Sequence, residues 1–253
     1  MSLRRLDSPS YRFSRLTERC LILIVEVSVY SLYFPISHYV AGLTPVDVTT
    51  AFDRAVPFRP EWIYVYVAIF YTAFLPLFLV KERHLFRRVG LAYIVVETTA
   101  LITFVLVPVR MTLRPDFVPG DSFTIWGINF CYYVDLPVNC FPSLHVANAV
   151  LGAFACYKVD RLIGSLSFIV GFLIIASTML VKQHYLADVV AGFALATTAY
   201  WFILRPAKTD HIPPSELKYS RIPSALVVVS FFLAILSLYF VYQSGWAPWE
   251  AKA

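Results

Sequence analysis

LIGSLSFIVGFLIIASTMLVKQHYLADVVAGFALATTAYWFIL, residues 162–204, holds two apolar runs, 162–181 and 185–204, separated by little more than Lys182 and Gln183. A helix rises about 1.5 Å per residue, so about 20 residues cross the ~30 Å hydrocarbon of a bilayer. The stretch therefore reads as a membrane hairpin. Five further runs of the same kind lie at 20–41, 62–80, 89–109, 143–157 and 222–242. The run at 143–157 is short and can extend at either end. The expected fold is all-α, a polytopic membrane helical bundle of seven spans, with the last, at 222–242, a C-terminal addition to a core of about 60–205. No repeat, low-complexity tract or soluble appendage interrupts residues 1–253, which read as a single integral membrane domain.

Composition agrees. The 253 residues are 59% hydrophobic and 15% charged, with a mean hydropathy of +0.68, too apolar for an ordinary soluble domain. The aromatic share of 17% suits Tyr and Trp gathered at membrane–water boundaries, and Trp62, Tyr64, Tyr66, Tyr239 and Tyr242 read as such anchors. The net charge of +5 does not signal nucleic acid, because its placement follows membrane orientation. With a cytoplasmic N-terminus, fifteen of the twenty-one basic residues fall on inner segments. The six left outside are Arg54, Arg59, Arg110, Arg114, Lys182 and Lys252. The first apolar run has a basic leader but is long and lacks a small-x-small cleavage site, so it reads as a retained anchor.

Polar groups at the mouths of these spans need a reason. Pro142-Ser143-Leu144-His145 opens the fourth span, and His184-Tyr185-Leu186-Ala187-Asp188 opens the sixth. Arg114-Pro115 follows the third. Hydropathy and charge bias alone put all three pieces on one, non-cytoplasmic, side. On a helix beginning near His184, Asp188 lies one turn on and projects from the same face. A carboxylate there can take the Nδ1 proton and leave Nε2 as a nucleophile. An unpaired Asp deep in a span costs roughly 2.5–3.5 kcal/mol, so Asp188 is expected to have a partner. His145 can protonate a departing alkoxide and then act as a base. Arg114, Lys182 and Arg110 are candidates to neutralise phosphate oxygens, with Ser143 and the backbone at a helix N-terminus as further donors. The chemistry requires no metal or other cofactor. The partners it implies are a lipid phosphate, surrounding membrane lipids and an alcohol or lipid acceptor.

Other features leave alternatives open. Residues 110–142 form a long outer connection in which Phe123, Trp126, Phe130, Tyr132 and Tyr133 suggest a segment lying in the interface. It reads either as a gate for a lipid or as a packed lid. Cys131 and Cys140 share this connection and could bridge on an oxidising face, with idle thiols as the alternative. Glu26 and Glu97, inside spans, read as helix-to-helix hydrogen-bonding groups.

At these motifs the chain resembles the type 2 phosphatidic acid phosphatase superfamily, whose members share a helical core with vanadium haloperoxidases. The family pattern is Lys, six residues, Arg-Pro; then Pro-Ser-Gly-His; then Ser-Arg, five residues, His, three residues, Asp. Arg114-Pro115, Pro142 to His145, and Ser177-Thr178 followed by His184 and Asp188 match in order and spacing over about residues 60–205. Val107 stands where the family has lysine, Thr178 where it has the third-motif arginine, and Leu144 where it has glycine. Pro-Ser-Leu-His and the missing cations are similar to the branch with inositol phosphorylceramide synthases. The resemblance implies a six-helix core, His184 as nucleophile, His145 as acid and base, and Asp188 as the orienting carboxylate. It implies a lipid phosphatase acting through a phosphohistidine, with a lipid phosphotransferase as the alternative and a transporter or scaffold without catalysis as a third reading.

Overall fold

The computed structural model describes residues 9–249; Arg4, Arg5 and Lys252 of the charge count lie outside them. Among the described residues there is no strand, only the isolated bridges Val46–Val109 and Val80–Lys218. Twelve α-helices follow one another along the described residues. The first span joins α1 (Pro9–Ser31) and α2 (Tyr33–Ala41), and a short α3 (Ala51–Ala55) sits outside it. The second span runs through α4 (Ile63–Tyr66) and α5 (Ile69–Leu79), and the third is α6 (Arg83–Leu106). Then come α7 (Phe123–Val134), α8 (Leu144–Val159), α9 (Arg161–Leu180) and α10 (Leu186–Ala199), the last continued by a π-helical turn, Tyr200–Leu204. A short α11 (Pro214–Leu217) precedes α12 (Arg221–Gln243).

Among the described residues six segments are long and apolar enough to cross a membrane, and they correspond to six of the seven expected spans. The protein is a multi-pass membrane protein. The seventh, α8, has only sixteen residues and does not extend. The Ser143 hydroxyl caps its start, accepting from Val146 N. Asp160 ends it and caps α9, accepting from Leu162 N and Ile163 N. The same carboxylate binds Lys218 and Arg221, which fastens the α8–α9 turn to the start of α12.

This short helix is the hub. It packs against α5, α6, α9 and α10, and most of its side chains are buried. Its small residues, Ala147, Ala149, Gly152, Ala153 and Ala155, let backbones approach closely, which is how membrane helices gain packing energy. A Cβ at Gly152 would collide with the Thr72 carbonyl of α5. By contrast α12 buries little, as expected of an added helix. Its C-terminal end nevertheless reaches α7: Phe123 and Trp126 meet Tyr242, and the Trp126 indole N–H donates to the Trp246 carbonyl at 2.7 Å.

Two expectations need correction. The third span begins at Arg83 rather than 89, because Glu82 caps it and Arg83 and Arg87 pair with Glu18 of α1. Glu26 and Glu97 lie on the neighbouring helices α1 and α6, yet among the described residues no hydrogen bond joins either to another helix. Each keeps a buried oxygen without a partner, and the Tyr93 hydroxyl of α6 is spent on the Ala73 carbonyl.

Candidate active site

The backbone builds the site before any side chain enters it. At the end of α9, Gln183 N and His184 N both donate to the Thr178 carbonyl, at 2.8 and 3.1 Å, while Lys182 adopts a left-handed conformation (φ 52°) that turns the chain back. Tyr185 then caps α10, its N–H donating to Asp188 Oδ2 at 2.9 Å. Ser143 N donates to the Asp188 carbonyl at 3.0 Å, and a Cβ at Gly192 would strike the Ser143 carbonyl. The starts of α8 and α10 are therefore joined main chain to main chain. The Tyr185 hydroxyl accepts from Thr112 N at 2.8 Å and donates to the Arg110 carbonyl at 3.2 Å, which fixes the Arg114 loop to the same frame.

On this frame the two histidines meet. His145 Nδ1 lies 3.2 Å from His184 Nε2, and His184 Nδ1 lies 3.4 Å from Asp188 Oδ2. Asp188 is fully buried and its Oδ1 has no partner. Pro142 to His145 and His184 to Asp188, 39 residues apart at the histidines, thus share one end of the bundle. A model of the PAP2 superfamily matches residues 52–202, more than half the chain, and spans all of these pieces.

The chain belongs to the PAP2 superfamily. Membership brings a phosphatase- or phosphotransferase-type activity. No curated protein matches the chain.

Against the PAP2 pattern, the cations divide. The Arg114 guanidinium donates to Gln183 Oε1 at 3.1 Å and to the Tyr132 carbonyl at 2.8 Å, and stacks 4.0 Å above the Tyr132 ring. It is thus tied to the residue preceding His184. Lys182 is placed differently. Its ammonium donates to the Val56 and Asp53 carbonyls at 2.6 and 3.1 Å, and burial pulls its pKa below the usual lysine range despite the nearby Asp53. Asp53 in turn accepts from Leu186 N at 2.7 Å, so Lys182 and Asp53 together dock α3 onto the α9–α10 turn. Arg110 donates to the Ala41 carbonyl at 2.6 Å, at the end of α2. The hydroxyl of Ser143 is occupied as a helix cap. At the positions that depart from the PAP2 pattern, Leu144 is buried in the main apolar core and Thr178 bonds back to the Ile175 carbonyl.

Three residues join the site that the sequence did not single out for it. Tyr66, read as an interfacial anchor, is buried, and its hydroxyl lies 2.7 Å from His145 Nε2. Tyr64, two positions earlier, is the exposed one. Gln183 bridges Arg114 and Cys131, its amide donating to the Cys131 sulfur at 3.3 Å. Its place beside His184 was the available signal. Asp135, just past α7, accepts from the Tyr33 hydroxyl at 2.6 Å; burial raises its pKa, against the pull of Tyr33, Arg114 and His184.

Of the two readings of the cysteine pair, the structure has the second: Cys131 and Cys140 are both free thiols. Cys131 turns toward Gln183, and burial pushes its thiol up to about 12. Cys140 lies instead beside the histidine and aspartate. One donor atom each from Cys140, His184 and Asp188 lies within 4.8 Å of the others, although His184 and Asp188 are already committed to each other.

Proposed function

We propose that this protein cleaves a phosphoester of a membrane lipid through a covalent intermediate on His184. The observation that carries the reading is the Asp188–His184–His145 series, in which a carboxylate faces one nitrogen of the first imidazole and the second imidazole faces the other. Asp188 holds the Nδ1 proton, so His184 Nε2 carries the lone pair that attacks phosphorus. The ring then gains positive charge beside the buried carboxylate. Arg114 and the Gln183 amide receive the phosphoryl oxygens. Because 3.2 Å separates the two imidazoles, the substrate must part them as it enters. His145 protonates the departing lipid alcohol and then draws a proton from whatever attacks the phosphohistidine.

With water as the attacker the enzyme is a lipid phosphatase, acting on a phosphatidate-like or polyprenyl-phosphate-like substrate, and this is the simplest form of the reaction. A second reading, transfer to an alcohol in the manner of inositol phosphorylceramide synthases, is favoured by the economy of charge. Lys182 and Arg110 serve backbone carbonyls, leaving Arg114 as the cation tied to the histidine turn. One guanidinium matches a phosphodiester monoanion better than a phosphomonoester dianion. The excess of basic residues on the opposite segments supports a site on the non-cytoplasmic face, with a cytoplasmic N-terminus.

The test is His184→Ala in purified enzyme, together with product analysis on labelled lipid phosphate and phosphodiester, with and without alcohol acceptors. The variant is expected to lose turnover on every substrate while keeping its thermal stability in detergent. Activity above a few per cent of wild type would remove His184 as nucleophile. A labelled water-soluble product alone, free phosphate from the monoester or the head-group phosphate from the diester, supports hydrolysis; a labelled lipid product supports transfer.

A further inference from the structure

Tyr66 closes α4 with its ring among Ile63, Ile128, Tyr132 and Val181 and its hydroxyl on His145. The series Asp188, His184, His145, Tyr66 is a single file of hydrogen bonds at 3.4, 3.2 and 2.7 Å, and its protons can be assigned in order. An ionised Asp188 can only accept, so His184 carries its proton on Nδ1 and offers a lone pair at Nε2. His145 must then donate to that lone pair from Nδ1. Its own Nε2 is left as an acceptor, and Tyr66 must be the donor to it. Each ring holds one proton and is neutral. His145 therefore presents Nδ1–H toward the cleft with no second proton of its own to give.

A neutral imidazole is a poor acid unless its far nitrogen is protonated as the near one lets go. We propose that Tyr66 is a positioning residue for the phosphoryl transfer: its hydroxyl holds His145 in the Nδ1–H form and passes a proton to Nε2 as Nδ1 protonates the leaving alcohol. In the first step His184 Nε2 bonds to phosphorus and the bond from phosphorus to the leaving oxygen breaks. That oxygen takes the Nδ1 proton, Nε2 takes the phenolic proton, and Tyr66 becomes a phenolate. In the second step the incoming water or alcohol gives its proton to Nδ1, Nε2 returns one to Tyr66, and the phosphorus–nitrogen bond breaks with its electron pair going back to His184. The inference rests on the phosphohistidine reading above, and a control separates the two.

The experiment compares wild type, Tyr66→Phe and His184→Ala on a long-chain alkyl phosphate and on p-nitrophenyl phosphate, whose leaving group departs without a proton. Phenylalanine keeps the ring and removes only the hydroxyl. In single turnovers, which read the first step alone, Tyr66→Phe is expected to slow alcohol release from the alkyl ester about 10²-fold, within the range contributed by a positioned proton donor, and to change p-nitrophenolate release less than about 3-fold. Equal losses on both esters, or no loss on the alkyl ester, would overturn the role. His184→Ala is expected to lose both reactions; if it does not, the nucleophile assignment fails irrespective of Tyr66. Nitrogen-15 spectra of the wild-type imidazoles, with His145 assigned from a His145→Gln sample, test the same claim without Tyr66→Phe. A proton on Nδ1 of His145 is expected, and one on Nε2 alone would refute the assignment.

Discussion

Replacing Asp188 with asparagine separates the charge of this side chain from its shape. Asp188 Oδ2 accepts from both Tyr185 N–H and His184 Nδ1, while Oδ1 is buried with no partner. In Asp188→Asn the amide oxygen takes the Oδ2 position, because Tyr185 N–H needs an acceptor there, and the amide NH2 takes the unpartnered one. The cap of α10 and the His184 tautomer are then preserved, and only the negative charge beside the ring is lost. A hydrogen bond to a charged group contributes about 1.5–3 kcal/mol against about 0.5–1.5 for a neutral one, and the gap widens as the ring becomes cationic in the transition state. At about 1.4 kcal/mol per decade of rate, kcat is expected to fall about 10- to 100-fold with little change in KM. Asp188→Ala removes the cap as well, costing about 1 kcal/mol of stability in addition. The assay is steady-state turnover in detergent beside thermal unfolding of the same samples. Less than a 3-fold loss in Asp188→Asn would refute an electrostatic role, and unfolding of Asp188→Asn as early as Asp188→Ala would refute the separation of charge from cap.

Lys182 and Arg114 should fail in opposite ways. Lys182→Met strips two carbonyls of a donor and is expected to lower stability by about 1–3 kcal/mol with KM unchanged, whereas Arg114→Ala should raise KM at least about 10-fold; a raised KM in Lys182→Met would return that ammonium to the substrate. The Asp160 carboxyl is held down to about 2, from 3.8, by Lys218 and Arg221 acting against its burial. Because its folded pKa is the lower one, its contribution is complete above about pH 4 and is lost as pH falls toward 2. Arg221 is largely exposed, so the effect is on the order of 1 kcal/mol. Unfolding temperature measured across that window should fall more steeply for wild type than for Asp160→Asn, and parallel curves would show that the cluster adds nothing.

The spans were legible because twenty apolar residues have few ways to satisfy their backbone except as membrane helices. The His184–Asp188 pair was legible because the two lie four residues apart at the start of a helix, although α10 begins only at Leu186 and Asp188 reaches back across its cap to His184. The limits of legibility are equally physical. A charge count placed Lys182 among the phosphate ligands, but a left-handed turn at that residue and the carbonyls of α3 settle where its ammonium goes. Trp62, Tyr64 and Tyr66 look alike as a string, and only the turn of the helix sends one hydroxyl inward to His145. Cys131 and Cys140 share a connection, but α7 carries Cys131 toward Gln183 while Cys140 lies by Asp188. Hydropathy ended the third span where Arg83, Arg87 and Arg88 begin, although a helix with a paired charge runs on past the apolar boundary.

The main-chain bond from Ser143 to Asp188, with Gly192 pressed against it, has a practical outcome. The framework is riveted by backbone atoms that replacing the side chains of His145, His184 or Asp188 leaves in place, so variants emptied of chemistry should still offer an intact mould. Such inert copies are suited to fishing the native lipid out of a membrane extract, since they can hold what they can no longer convert.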